Sequence, residues 1–286
     1  MAIRQITIIG VGLIGGSFGL AIKKRGFAGR VIGCGRPLSL AKAQRMGAID
    51  IGIQEPRQAV QGSDVVLLAT PVGAILDFIE QLGPILPPNV LMTDVGSTKR
   101  EIVNRAQSVF GSAAATRFLA GHPMAGKEHS GIDYADPDLF ENAVWIFTPI
   151  GEQTLESPSD GLVSDFVSLV RSIGSRVIVI DAERQDRLCA WVSHLPQMLS
   201  TALASTLEDE FGDDEMLKAV GGRALREMTR IAASPYSMWR DIAFTNTDNI
   251  ATSISKLEQR LVHMRDNLRT RGLQEEFENG NKFRKD

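Results

Sequence analysis

The chain has 286 residues, 43% of them hydrophobic and 23% charged, with a formal net charge of −3 at pH 7. Such a length holds one large domain or two ordinary ones around a substantial core, and the composition is that of a soluble globular protein. The faintly acidic balance gives no electrostatic ground for binding nucleic acid or an anionic membrane surface. No apolar run approaches membrane-spanning length. Cys34 and Cys189 lie far apart, in neither a disulfide framework nor a metal-ligand spacing, so no metal site is expected. Both are read as small buried apolar residues. No signal peptide is read at the N-terminus, and a reducing cytoplasm is the expected location.

The first half alternates short apolar runs with amphipathic stretches. Strands are predicted over 6–9 and 31–34, a glycine-opened helix over 13–25, and a helix over 40–46 that Gly47 ends. The continuous apolar run 65–69 suits a strand covered on both faces. Runs 90–93 and 118–121 repeat that pattern, and 144–148 and 177–180 extend the sheet, with a helix over 162–173 between them. Strands separated by helix-length segments imply right-handed crossovers and a mainly parallel sheet. After Asp181, a plausible N-cap, only long helical patterns remain, over 182–208, 214–231 and 246–271. The tail from Gln274 to Asp286 is charged and glycine-interrupted, and its end is expected to be frayed or disordered. The predicted fold class is therefore α/β: residues 1–181 form a Rossmann-type doubly wound domain, and 182–286 an all-helical domain. The helical part is read as too apolar and elongated to stand alone, so a homodimer is expected.

Gly10-Val11-Gly12-Leu13-Ile14-Gly15 fits G-x-G-x-x-G, between a strand and a helix. In that context the first glycine permits the tight turn, the second lets the backbone approach a pyrophosphate, and the third lets helix and strand pack closely. The N–H groups opening the helix then face the phosphates. NAD-binding chains place an acid about 20 residues further on, for the ribose 2′-hydroxyl. Here Gly35 is followed by Arg36, with Ser39 nearby, a guanidinium and a hydroxyl able to hold a 2′-phosphate. NADP is expected, with NAD as the alternative; Arg36 stacking on adenine or pointing to solvent is the bland reading. Thr70-Pro71 and the segment Asp94 to Lys99 follow strands, at the edge where open α/β sheets bind ligands. Ser97 is read either as the cap of the next helix or as facing the substrate.

His122 lies between Gly121 and Pro123, in what reads as a turn away from any periodic apolar element. A histidine there, with an ordinary near-neutral pKa, suits proton transfer. Around it the chain resembles the prephenate and arogenate dehydrogenase family of tyrosine biosynthesis. The resemblance is carried by Gly121-His122-Pro123-Met124-Ala125-Gly126 after the segment Asp94 to Lys99. It continues in Ser193-His194-Leu195-Pro196, Thr229-Arg230-Ile231-Ala232 and Met238-Trp239-Arg240-Asp241, in the family's order.

The resemblance implies oxidation of a small cyclohexadienol substrate with loss of its carboxylate as carbon dioxide. It implies His122 as the general base on the ring hydroxyl and Ser97 as the residue orienting that histidine or the hydroxyl. Arg230 would grip a substrate carboxylate; His194, whose helical position reads equally as that of a satisfied core histidine, would be a substrate-pocket or channel residue. Glu128 is read as a gating or binding residue, or equally as a solvent-facing one. An intrahelical pair of Glu227 with Arg230 is expected. Trp191 and Trp239 are read as packing residues, and His129 and His263 as surface residues. Prephenate is expected over arogenate; for the ammonium of arogenate the candidate partners are Asp133, Asp136 and Glu128. A 6-phosphogluconate-type hydroxyacid reductase and a non-catalytic NADP sensor are the competing readings.

Overall fold

A computed structural model describes residues 3–127, 129–151, 153, 155 and 161–285, the side chain of Lys218 excepted. Eight strands form one sheet: β1 (Gln5–Ile9), β2 (Arg30–Cys34), β3 (Ile51–Ile53), β4 (Val65–Leu68), β5 (Leu91–Asp94), β6 (Phe118–Pro123), β7 (Val144–Thr148) and β8 (Arg176–Val179). Their order is β3-β2-β1-β4-β5-β6-β7-β8. Every neighbouring pair is parallel except β6 with β7. The short β3 carries too few apolar residues to announce itself; its pairing with β2 alone makes it a strand.

Apolar residues alternate between the two faces, as the two-residue period of a strand requires. Val65 and Leu67 join one core with Phe18, Trp145 and Phe166; Val66 and Leu68 join the other with Ile75, Ile79 and Ile102. The first core lies under α1 (Leu13–Lys24) and α7 (Leu162–Ser172). The second lies under α4 (Val72–Leu82) and α5 (Arg100–Phe110). Between the early strands run α2 (Pro37–Arg45), ended by Gly47 at φ +77°, and α3 (Pro56–Ala59); α6 (Ala114–Arg117) precedes β6.

Beyond β8 the chain is helical. Asp181 caps α8 (Ala182–Cys189), accepting from the Arg184 amide at 2.8 Å. The single helix expected over 182–208 instead carries a π turn, Ala190–His194, before α9 (Leu195–Phe211). Pro196 explains the defect, since a proline inside a helix has no N–H for the preceding turn. Gly221 and Gly222 likewise break the stretch expected over 214–231 into α10 (Glu215–Val220), α11 (Arg223–Thr229) and a 3₁₀ turn, Arg230–Ala233. Then follow α12 (Tyr236–Thr245), α13 (Thr247–Asp266) and α14 (Arg271–Lys285). The tail expected to fray is thus a helix, tied to α13 by Arg260 on Glu276 at 2.7 Å. Among the described residues no helix is long and apolar enough to cross a membrane.

Candidate active site

The carboxyl ends of β1, β4, β5 and β6 bring four segments to one edge of the sheet. At the end of β1, Gly10 has φ +99°, and a Cβ there would lie 2.4 Å from the Ala69 carbonyl oxygen. A Cβ on Gly15 would lie 2.1 Å from the Gly10 carbonyl oxygen, so only glycine lets helix and strand approach so closely. Gly12 is different: nothing stands within 4 Å of its missing Cβ. That open space lies at the N-terminus of α1, which has no side-chain cap and no acid in its first turn, formed by Leu13, Ile14 and Gly15. Thr70 packs its methyl against Gly10, and its Oγ1 is buried with no partner; Pro71 then opens α4. An anion-ready helix end, an open cradle and an orphaned hydroxyl fit the pyrophosphate of a dinucleotide. Past β2, Arg36 is exposed at the N-cap of α2 and has no ion-pair partner among the described residues, with Ser39 half-buried beyond it.

His122 corrects the sequence reading. It is a strand residue, not a turn residue: β6 runs through it, paired antiparallel with β7, His122 opposite Ile146. Only 8% of it is exposed. The strand tolerates Gly121 and Pro123 because β5 pairs with β6 only at Phe118 and Leu119. Side chains take over from there. Asp94 Oδ1 accepts from the Gly121 amide at 3.1 Å, and Lys99 Nζ donates to the Gly121 carbonyl at 2.6 Å and to Asp94 Oδ2. Lys99 and Asp94 are both wholly buried. Burial pushes the Asp94 carboxyl up and the Lys99 ammonium down, with their mutual attraction opposing both shifts.

The helical part completes this corner. Asp186 on α8 accepts from the amides of Lys99 at 2.6 Å and Arg100 at 3.1 Å, capping α5 from another segment. Ser97 therefore does not cap α5; it is half-buried ahead of it. The neighbouring Gln185 reaches the Ser97 carbonyl at 3.1 Å and His122 Nδ1 at 2.8 Å, with Cys189 Sγ 3.9 Å from the same ring nitrogen. Nothing in the sequence marked Gln185, Asp186 or Cys189 as site residues; they sit on a helix whose own pattern is ordinary.

His194 ends the π turn, 1% exposed, with Asn246 Nδ2 3.3 Å from its Nδ1 and Trp239 edge-on to its ring. Its Nε2 and the Trp239 Nε1 are buried without partners. Trp191, by contrast, is 40% exposed, under the Lys256 ammonium. Arg230 is exposed and lines an open cavity of about 520 Å³ with Gly222, Arg223, Arg226 and Glu227. None of those residues belongs to the His122 cluster. Glu227 pairs at 2.7 Å with Arg223, one turn before it on α11. Glu128 lies outside the described residues. Asp133 and Asp136 are engaged by Lys42 at 2.6 Å and Lys127 at 3.0 Å. His129, stacked on Tyr134, and His263 are exposed.

The near-neutral pKa expected of His122 is not found. Desolvation first, then the charges of Lys99 and His194, lower it to about 3. Desolvation lowers His194 to about 4. Both rings stay neutral in the folded protein from pH 6.5 down to about 4, while their unfolded counterparts take up protons. The unfolded state then binds more protons, so stability falls as pH drops from about 6.5 towards 4, by up to about 1.4 kcal/mol per pH unit for each ring. Thermal unfolding across that window should show the loss, and His194→Asn should make it shallower. An equal slope in that variant would remove His194 as a source.

A doubly wound sheet with a fingerprint loop, a buried histidine beyond it and a helical region closing the edge define a dinucleotide-binding dehydrogenase. The chain belongs to the prephenate dehydrogenase family. Residues 18–179 match the family's description "Prephenate dehydrogenase, nucleotide-binding domain", and 181–282 match "Prephenate dehydrogenase, dimerization domain". A prephenate dehydrogenase of Lactococcus lactis is 31% identical over 285 residues, 98% of this chain and 77% of that protein. The crystal structure of a prephenate dehydrogenase from Aquifex aeolicus, in complex with hydroxyphenyl propionate and NAD+, is similar at TM-score 0.85 and 30% identity; the match covers 100% of this chain and 96% of that one. Synechocystis arogenate dehydrogenase is similar at TM-score 0.77 and 27% identity, covering 98% and 99%.

Proposed function

We propose that this chain oxidises prephenate to 4-hydroxyphenylpyruvate and carbon dioxide, with a nicotinamide dinucleotide as hydride acceptor. The observation that carries the reading is the convergence of Ser97 and His122 on Gln185, beside His194, at the sheet edge that also presents the Gly12 cradle. The bound cofactor supplies the acceptor for the hydride leaving the ring carbon. His122 hydrogen-bonds the ring hydroxyl and holds its proton while that hydride departs. Loss of the carboxylate then returns the electron pair of the broken C–C bond to the ring, which becomes aromatic, and the proton goes back to the phenolic oxygen. Ser97 orients the ring or the hydroxyl, His194 lines the pocket through its Nε2, which has no partner among the described residues, and Arg230, on the open cavity outside the His122 cluster, offers its planar fork to a substrate carboxylate that reaches there. Asp133 and Asp136 already serve as ion-pair partners of surface lysines, which favours a keto side chain over the ammonium of arogenate. Steady-state runs with prephenate and arogenate, each with NAD and NADP, test the reading; turnover with neither substrate would reject it.

The same proposal includes NADP as the preferred cofactor, through Arg36 and Ser39 beyond β2. An added Cβ at Gly35 would meet only Val11, at 3.6 Å, so an acid fits there. Gly35→Asp with Arg36→Ser should move the kcat/KM ratio towards NAD. An unchanged ratio would show that this strand end is not the discriminator.

Residues 1–181 are proposed as the cofactor domain and 182–286 as the part that dimerises. Leu195, Met198, Leu199, Leu257 and Leu261 line an apolar groove of about 340 Å³ on α9 and α13, a face suited to a second copy. Leu261→Asp should convert the dimer to a monomer in light scattering. Equal masses for wild type and variant would exclude this groove from the interface.

A further inference from the structure

Gln185 is wholly buried, and its backbone has no room to wander. On one side Asp181 caps its helix; on the other, Asp186 holds the Lys99 and Arg100 amides while its carbonyl accepts from Asn246 at 2.8 Å. What remains free is the terminal torsion of the side chain, the softest of the staggered set. As the amide stands, its NH₂ faces the Ser97 carbonyl at 3.1 Å and His122 Nδ1 at 2.8 Å, with Cys189 Sγ at 3.2 Å. An amide nitrogen only donates, so Nδ1 is the acceptor and the neutral ring carries its hydrogen on Nε2. A ring in that state has no lone pair at Nε2 to take the substrate proton: that nitrogen already carries the hydrogen, and the lone pair at Nδ1 is engaged by the Gln185 amide. The other end of the amide, Oε1, is buried with no partner among the described residues.

We propose that Gln185 is the positioning residue of His122, and that its carboxamide must turn by half a rotation before the ring can accept a proton. Turning puts Oε1 against Nδ1, which then holds the ring hydrogen and leaves Nε2 with its lone pair. The same oxygen keeps accepting from Nδ1–H in the imidazolium once the hydroxyl proton has arrived on Nε2. Atoms balance: the proton moves from the ring hydroxyl to Nε2 and returns to the phenol, while the hydride leaves for the nicotinamide. The groups facing the ring are Lys99 from the β5–α5 connection, Cys189 with Gln185 on α8, and His194 from the π turn; Asp94 and Asp186 stand behind Lys99. None of the others offers Nδ1 a neutral acceptor that can also withdraw. The inference rests on the reading of His122 as the proton-accepting group.

The test is kcat, KM and the pH profile of kcat with prephenate and saturating cofactor, for Gln185→Leu, Gln185→Glu and Gln185→Leu in a His122→Asn background. Gln185→Leu should lower kcat roughly 10- to 100-fold, as loss of a residue that orients a working histidine does, with KM little changed. Gln185→Glu presents only acceptors to Nδ1, so it should retain turnover and move the acid limb of the profile to higher pH. In the His122→Asn background the leucine should cost nothing more. Equal losses in the leucine and glutamate variants with an unmoved profile would overturn the proposal, as would a wild-type profile for the leucine variant or a further loss without His122. Should the leucine variant fail to fold, the isosteric glutamate carries the test through its profile alone. Full turnover in His122→Asn by itself would instead reject the underlying reading.

Discussion

His122→Asn is expected to lower turnover by about 10²- to 10⁴-fold, the usual yield of a general base, while leaving dinucleotide affinity unchanged. The two effects separate because the cofactor cradle is built at Gly10, Gly12 and Thr70, just past the ends of β1 and β4, whereas His122 stands on β6. Asparagine keeps a polar atom near the Nδ1 position, so the contact with Gln185 need not collapse into an empty space. What it cannot do is hold a proton. The low affinity of His122 for protons does not contradict this role: burial and Lys99 hold the ring neutral, which is the form a base must start from. A substrate carrying two carboxylates would bring negative charge to that ring and favour its protonated form. Turnover within twofold of wild type, or a large loss of cofactor binding measured by fluorescence titration, would each contradict the assignment.

Lys99→Met is expected to destabilise the protein by about 3–5 kcal/mol, the cost of leaving a buried partner charge uncompensated. Lys99 is wholly buried, and its ammonium satisfies both Asp94 and the Gly121 carbonyl. Without it, Asp94 keeps only the Gly96 and Gly121 amides as donors. The loss should be read as a lowered denaturant midpoint. Asp94→Asn in the same chain should recover part of it, since a neutral amide oxygen still accepts an amide hydrogen but carries no unpaired charge. A double variant less stable than Lys99→Met would show that the carboxylate is worth more than its desolvation costs. Because the pair grips Gly121, next to His122, turnover of any folded Lys99 variant should fall as well.

Much of the cofactor edge was legible in the chain. Gly10, Gly12 and Gly15 each have a local reason to be glycine, and the structure gives each the geometry its spacing implies: a positive φ, an open cradle, a close helix–strand contact. Alternating runs likewise placed seven of the eight strands, because burial on two faces leaves a pattern within a few residues. The helical part was less legible. Its breaks fall at Pro196 and at Gly221-Gly222, residues that were visible but whose effect on continuity depends on what packs against them. The tail was misread for a related reason: its charges suggest a solvated coil until Arg260 on α13 supplies a partner for Glu276.

His122 shows where local reading stops. The sequence identified the residue and its neighbours, and glycine and proline beside it suggested a turn. Only the folded chain shows that Asp94 and Lys99 replace the missing β5 ladder there, so that a strand can pass through Gly121 and Pro123.

The positions of seven strands and the glycine loop followed from the chain alone, because each is set by periodicity or by backbone freedom over a few neighbouring positions. The protonation state of His122, the capping of α5 by Asp186 and the hold of Gln185 on the ring came only with tertiary structure. Those contacts join residues 63 to 88 positions apart, and a distance of that kind leaves no periodic trace along the chain.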